Sequence, residues 1–367
     1  MDLTPYLLAW RTTPLRDREV VDALVDPAHA GPSPELAHAL THWPGNYYWS
    51  DEPDGRHLVL TRPRGSRRRE HWTLHTVLFG ATLLTTTLAG AVIAAGFPFD
   101  GLLGFPRFPP PAGFARLWAA GLLFSLPLLT ILLCHELGHY FTARYYHLDV
   151  SPPYFAPVPL VLSPIGTVGA FIRLRTILSD RRQLLDVGIG GPIAGFLIAL
   201  PVLWIGLALS HPGPVHEGLG GMVVRLGGQT WALGDSLLTL VLRRASGLGE
   251  QGLSLHPLAF AGWVGMFVTM LNLLPISQLD GGHILYAAVP RWHARVALVC
   301  WVGLVVLGKY WIGWLVFGAL VLGLSRGQLK HPPVLDAYRP LPRSRQWLAW
   351  AALALFLATF TPVPFRI

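Results

Sequence analysis

From residue 74 to residue 97 the chain runs 24 positions without an Asp, Glu, Lys or Arg. As a helix rising about 1.5 Å per residue this stretch covers about 36 Å, enough to cross the roughly 30 Å hydrocarbon core of a bilayer. Further apolar runs occupy 117–140, 187–210 and 296–324, with shorter ones from 258 and at 346–360. A composition of 52% hydrophobic and 13% charged residues excludes an ordinary soluble domain. The expected fold class is an all-α polytopic membrane protein, a helical bundle with about six to eight spans. The first run starts too late for a cleaved signal sequence, so it is expected to stay as a span. Cys134 and Cys300 both lie in apolar surroundings and read as packing residues rather than as a disulfide framework.

The net charge of +8 suggests nucleic acid only until its distribution is considered. Arg62, Arg64, Arg67, Arg68 and Arg69 stand directly before the first span, where positive flanking charge marks the cytoplasmic side. No nucleic-acid partner is then needed. The proline-rich loop after the first span carries little positive charge and is expected outside. Arg144, Arg173, Arg175, Arg181 and Arg182 return the chain to the inside after the second run, which has Pro127 in its middle. The insert 210–257 is expected outside, with a short interfacial helix around 231–242. In 296–324 the interruption Lys309-Tyr310-Trp311, with the basic residues Arg326, Lys330, Arg339, Arg343 and Arg345 beyond it, favours two short crossings over one tilted one. The final segment either spans or lies at the interface.

The chemistry concentrates at the inner ends of two runs. His135 and His139 are four residues apart, so on a helix their imidazoles face one metal ion, with Glu136 beside them as a carboxylate able to take a proton from water. A carboxylate among leucines is costly without a function. A catalytic zinc site ordinarily has a third protein ligand. Asp280, at the inner end of the run from 258, is the best candidate, because the break at Pro275 and Gly281-Gly282 is able to turn it toward the histidines; a helix-capping or loop aspartate is the other reading. The segment Ser163-Pro164-Ile165-Gly166-Thr167-Val168-Gly169-Ala170-Phe171-Ile172-Arg173 is too broken for a helix and reads as short strands or a re-entrant hairpin, allowed at membrane depth only where protein or a cavity satisfies its backbone. Gly188, Gly190, Gly191, Pro192 and Gly195 in the third run read as a close helix-packing face.

His135-Glu136-Leu137-Gly138-His139 together with Asn272-Leu273-Leu274-Pro275 and Leu279-Asp280-Gly281 resembles the paired motifs of the site-2 protease family, the intramembrane zinc metalloproteases of peptidase family M50. The resemblance covers roughly 74–340. It implies one zinc ion held by His135, His139 and Asp280, with Glu136 as the base that activates water. It also implies that the segment containing Gly166, Gly169 and Phe171 helps present an unwound substrate. Asn272 is a candidate for a hydrogen bond near the substrate or the metal, with a structural cap at the helix break as the alternative. The insert of 48 residues at 210–257 is too short for a PDZ domain, which is similar to the longer branch of the family without one.

These readings divide the chain into a cytoplasmic N-terminal arm or small cap at 1–72, an intramembrane metalloprotease domain at 73–345 that includes the outward insert, and a C-terminal hydrophobic segment at 346–367. The expected partners are the lipid bilayer and a single-span or other membrane-protein substrate; oligomeric state is not readable. The expected location is a bacterial cytoplasmic membrane with the site toward the cytoplasm, an organellar membrane being the rival. Two other functions share the zinc motif, a membrane zinc carrier and a proteolytically silent metal-binding scaffold. The carrier requires polar ligands stepping across the bundle, whereas these converge on one side.

Overall fold

The computed structural model describes residues 3–14, 18–31, 33–63, 70–95, 99–100, 105–106, 111–160, 162–175, 178, 180–213, 221–226, 229–248, 252–332, 334 and 340–366. Most of the arginine cluster before the first span lies outside them.

The stretch read as a cap or arm is a folded antiparallel sheet. Strands β1 (Leu7–Pro14), β2 (Arg18–Val25), β3 (Tyr47–Glu52) and β4 (Gly55–Pro63) pair in the order β1-β2-β4-β3, and helix α1 (Pro34–Thr41) is capped by Ser33. Alternation along β2 and β4 places Val25, Leu58 and Leu60 against Leu36 and Leu40 of α1. Their neighbours on the other face include Asp22 and His57. The His57 ring lies between Asp22 (Nδ1, 2.8 Å) and Asp54 (Nε2, 3.2 Å), and Asp22, Glu52 and His57 bring donor atoms within 4.8 Å of one another.

The Asp22 hydrogen bond raises the His57 imidazole above its ordinary 6.5, against the opposing effect of burial. Folding therefore favours the protonated ring. Its contribution is complete below about pH 6.5 and fades as pH rises through the folded-state value. Unfolding of the cap in the full-length protein, followed by Trp43 and Trp49 fluorescence, is expected to become easier above neutral pH. Asp22→Asn flattens that dependence; an unchanged slope in the variant contradicts the assignment.

Four helices among the described residues are long and apolar enough to cross a membrane: α2 (Trp72–Ala95), α3 (Pro111–Tyr145), α4 (Arg181–Ala208) and α8 (Pro290–Leu307). The chain is an integral membrane protein with small β-sheets added to its helices. Between α2 and α3 lies a short pair, β5 (Phe99–Asp100) and β6 (Phe105–Pro106). Helix α3 continues through Pro127 without a break. Small residues let the backbones meet: a Cβ on Gly121 of α3 would lie 2.3 Å from the Thr87 carbonyl oxygen of α2, and one on Gly138 of α3 would lie 2.3 Å from that of Gly190 in α4.

After α3 the chain forms an antiparallel hairpin of β7 (Tyr154–Pro157) and β8 (Thr167–Phe171), in agreement with the strands expected from the proline and glycine spacing. The Gly166 carbonyl accepts a 2.7 Å hydrogen bond from Thr85 Oγ1 of α2. Arg175 beyond β8 pairs with Glu70 at 2.6 and 3.1 Å, and the Arg18 guanidinium donates to the Arg175 carbonyl at 2.7 Å, so the cap, the entry to α2 and the hairpin meet at one point. The Arg175 guanidinium holds the Glu70 carboxyl below its ordinary range despite burial.

On the far side, β9 (His211–Pro212), β10 (Met222–Leu226), β11 (Gln229–Leu233), β12 (Leu253–Ser254) and β13 (Phe365–Arg366) form a sheet in the order β13-β11-β10-β12-β9. The helix expected around 231–242 starts later: Trp231 belongs to β11, and helix α5 (Leu237–Ala245) follows a Ser236 capping box. Aromatic and β-branched residues at 229–233, opposite Met222-Val223-Val224, make a hairpin of the stretch that apolar content alone suggested as helix.

Helix α6 (Pro257–Asn272) is only 16 residues long and buried on most faces between its neighbours, which explains its apolar character all round. It stops inside the bundle. A tight turn leads to α7 (Asp280–Ala288), where a Cβ on Gly281 would lie 1.9 Å from the Leu273 carbonyl oxygen. The run 296–324 contains two helices, α8 and α9 (Gly313–Leu324), divided at Lys309-Tyr310-Trp311. Helix α10 (Arg343–Thr359) then runs beside α4. Arg345 binds Asp186 near the start of α4, while β13 joins the sheet that also takes β9, just past the end of α4.

Candidate metal centre

The leucine-rich α3 carries His135 and His139 on one face, toward α4, and both are buried. The His139 Nδ1–H donates to the Val187 carbonyl of α4 at 2.7 Å. A carbonyl only accepts, so this bond fixes the tautomer and leaves the Nε2 lone pair pointing inward. The ring lies over Gly191: a Cβ there would sit 2.1 Å from His139 Nε2. One on Gly195 would come within 3.1 Å of His135 Cβ. The glycines read as a helix-packing face therefore also make room for two imidazoles.

Asp280 arrives from the opposite side. It is the first residue of α7, whose N-cap is Leu279 without a side-chain bond, so the carboxylate does not cap its own helix. Its Oδ2 instead lies 3.3 Å from Nε2 of His135 and 3.3 Å from Nε2 of His139, and the two Nε2 atoms are 3.2 Å apart. Lone-pair nitrogens and a carboxylate oxygen at these distances repel unless a proton or a cation lies among them. Tetrahedral zinc, with bonds of about 2.0–2.1 Å, has ligand atoms about 3.3 Å apart. The three separations and the His/His/Asp donor set thus fit one divalent ion.

Glu136 is buried beside this triangle and is not part of it, and the backbone of Ile172, just beyond β8, lies near its carboxylate. The Asn272 side-chain amide nitrogen lies 3.2 Å from His135 Nε2, so Asn272 reaches the site instead of only ending α6. Gly166 and Gly169 adopt left-handed backbone (φ +77° and +117°). Gly166 packs on α2, whereas Gly169 faces open space. Phe171 stacks on Tyr154 and is 55% exposed, and Val168 is 73% exposed, so β8 shows an apolar outer surface.

Two contacts near the centre join residues far apart in the sequence. Asp186, one residue before Val187, accepts hydrogen bonds from Tyr146 and Arg345. Burial and the Asp186 hydrogen bond push the Tyr146 hydroxyl up to about 12, so it remains a donor. Past Asp280, the Nδ1–H of His283 donates to His331 Nε2 at 2.7 Å, beside Tyr286 and the buried His293. His283 is thus outside the triangle. Arg345 and His331 lie 159 and 48 residues from their partners, beyond any local pattern.

Residues 123–307 match the sequence profile of Peptidase family M50. The chain is 34% identical over 254 residues to the probable zinc metalloprotease EGY1, chloroplastic, of Arabidopsis thaliana, covering 66% of this chain and 43% of that protein. It is 29% identical over 252 residues to the probable zinc metalloprotease EGY2, chloroplastic, of the same plant, covering 67% and 42%. The chain therefore spans less than half the length of these relatives. No solved structure matches it.

Proposed function

The chain belongs to peptidase family M50, and on that premise we propose that it is a zinc-dependent endopeptidase hydrolysing peptide bonds in or near transmembrane segments of membrane proteins. The observation that carries this reading is the triangle of His135, His139 and Asp280, set among apolar helices with Glu136 beside it.

His135, His139 and Asp280 would hold the ion. When bound, zinc supplies Lewis acidity, polarising the scissile carbonyl and easing deprotonation of water. Glu136 accepts a proton from the attacking water and delivers it to the leaving amine. Water oxygen joins the carbonyl carbon, the C–N bond breaks, and the amine departs protonated. A substrate helix hides its carbonyls in its own hydrogen bonds and has to unwind first. Among the described residues β8 pairs only with β7, so its other edge offers main-chain partners to an extended segment. Gly169 and Phe171 would then contact substrate, Gly166 would anchor the hairpin, and Asn272 would orient His135 or the substrate carbonyl.

The proposed division is a cap at 1–72, a metalloprotease domain at 73–345 with its outward insert 210–257, and a terminal segment at 346–367. Six to eight crossings is the proposed count, with α6, α9 and α10 added to the four long helices. Arginine placement supports a site toward the cytoplasmic side of a bacterial membrane; the relatives named above are chloroplastic, which keeps an organellar membrane as the rival.

Purified protein in bilayers with a single-span substrate is expected to cleave it, to stop after removal of zinc by 1,10-phenanthroline, and to resume when zinc is restored. Cleavage that persists in metal-free protein, or zinc flux without cleavage, overturns the proposal.

A further inference from the structure

We infer that helix α10, which lies beyond the family-matched residues, is a working part of the metal centre, with Arg345 and Asp186 acting as positioning residues for His139. This rests on the zinc reading above.

The link runs through one carboxylate. Asp186 has a side chain only 12% exposed, and its Oδ2 accepts from the Tyr146 hydroxyl at 2.5 Å and from Arg345 Nη2 at 3.1 Å, while Oδ1 accepts from Arg345 Nε at 3.2 Å. Tyr146 directly follows α3, the helix carrying both histidines. Asp186 is on α4, and the next residue, Val187, provides the carbonyl that fixes the His139 ring. A single anion therefore ties α3, α4 and α10 together within one residue of that contact.

Apolar packing continues the link to the third ligand. Leu348 and Phe356 of α10 pack in the same cluster as Leu184 and Leu185 of α4 and Ile284 and Ala287 of α7, the helix that begins with Asp280. The far end of α10 is held by β13, which pairs with β11. Anchored at both ends of α4, α10 packs on α4, whose Val187 carbonyl fixes the His139 ring, and on α7, which carries Asp280.

Loss of Arg345 removes a bidentate partner and leaves Asp186 buried with less compensation. The first turns of α4 then relax, and the Val187 carbonyl moves relative to His139. Removing a group that orients a metal ligand typically costs about 10–100-fold in metal affinity.

The test compares full-length wild type, Arg345→Met, Arg345→Lys and Tyr146→Phe in detergent. The readouts are zinc affinity by chelator competition and thermal unfolding of the metal-free forms. Arg345→Met is expected to bind zinc about 10–100-fold more weakly. Arg345→Lys, which keeps the charge, recovers part of that loss, and its metal-free form unfolds closer to wild type than that of Arg345→Met. Wild-type zinc affinity in Arg345→Met overturns the inference, as does metal-free unfolding that falls while zinc affinity holds. If Arg345→Met does not fold, unchanged zinc affinity in both Arg345→Lys and Tyr146→Phe overturns it. Wild type that binds no zinc overturns the underlying metal reading instead, so the two failures are distinguishable.

Discussion

Glu136→Gln is expected to lower the rate of peptide-bond cleavage by about 10²–10⁴-fold while one zinc ion per chain is retained. Glutamine has nearly the shape of glutamate, so the buried packing around position 136 survives. What disappears is the acceptor for the water proton. Because Glu136 lies outside the triangle of His135, His139 and Asp280, metal content and single-turnover cleavage separate the two roles. Parallel loss of zinc and cleavage would make Glu136 a ligand or a structural group, and undiminished cleavage would remove it from the chemistry.

Gly191→Ala is expected to empty the metal centre. The added methyl carbon would stand 2.1 Å from Nε2 of His139 and 2.4 Å from its Cδ2, in the space the ligand atom uses. The ring has little freedom to retreat, because its Nδ1 is held by Val187 and the α3 and α4 backbones meet at Gly138 and Gly190. Either His139 leaves its position or the helices separate. Zinc content of the purified variant is therefore expected to fall well below one per chain, with cleavage lost alongside it. Gly195→Ala, whose methyl meets His135 Cβ at 3.1 Å, is a milder comparison, and Gly303→Ala, which points into open space, is expected to behave as wild type. Full zinc occupancy in Gly191→Ala would show that His139 is not held where the structure places it.

Much of this site is legible because its signals are local. A four-residue spacing puts His135 and His139 on one helix face, and a proline followed by paired glycines marks the turn into Asp280. The broken pattern at 163–173 likewise announces the hairpin of β7 and β8. The cap was harder to read. Its apolar residues are shared out a few at a time among β1 to β4, and the closing helix contributes chiefly Leu36 and Leu40, so the stretch looks polar until the strands are paired. In the insert, apolar content around Trp231 did not distinguish strand from helix, and cross-strand pairing with Met222–Leu226 decided it. The Asp186–Arg345 link and the fit of His139 over Gly191 are tertiary facts. The sequence shows a charged pair 159 residues apart and a glycine-rich helix face, but not that both serve one imidazole.

Mass-spectrometric mapping of the cut tests whether the triangle near the end of α3 cleaves peptide bonds of membrane-embedded chains. Wild-type protein loaded with zinc and Glu136→Gln protein with equal zinc are incubated in bilayers with a labelled single-span substrate. New termini are expected within or beside the apolar span for wild type, and none above background for the variant. Identical fragments from both proteins, or an intact substrate with zinc-loaded wild type, would contradict that expectation.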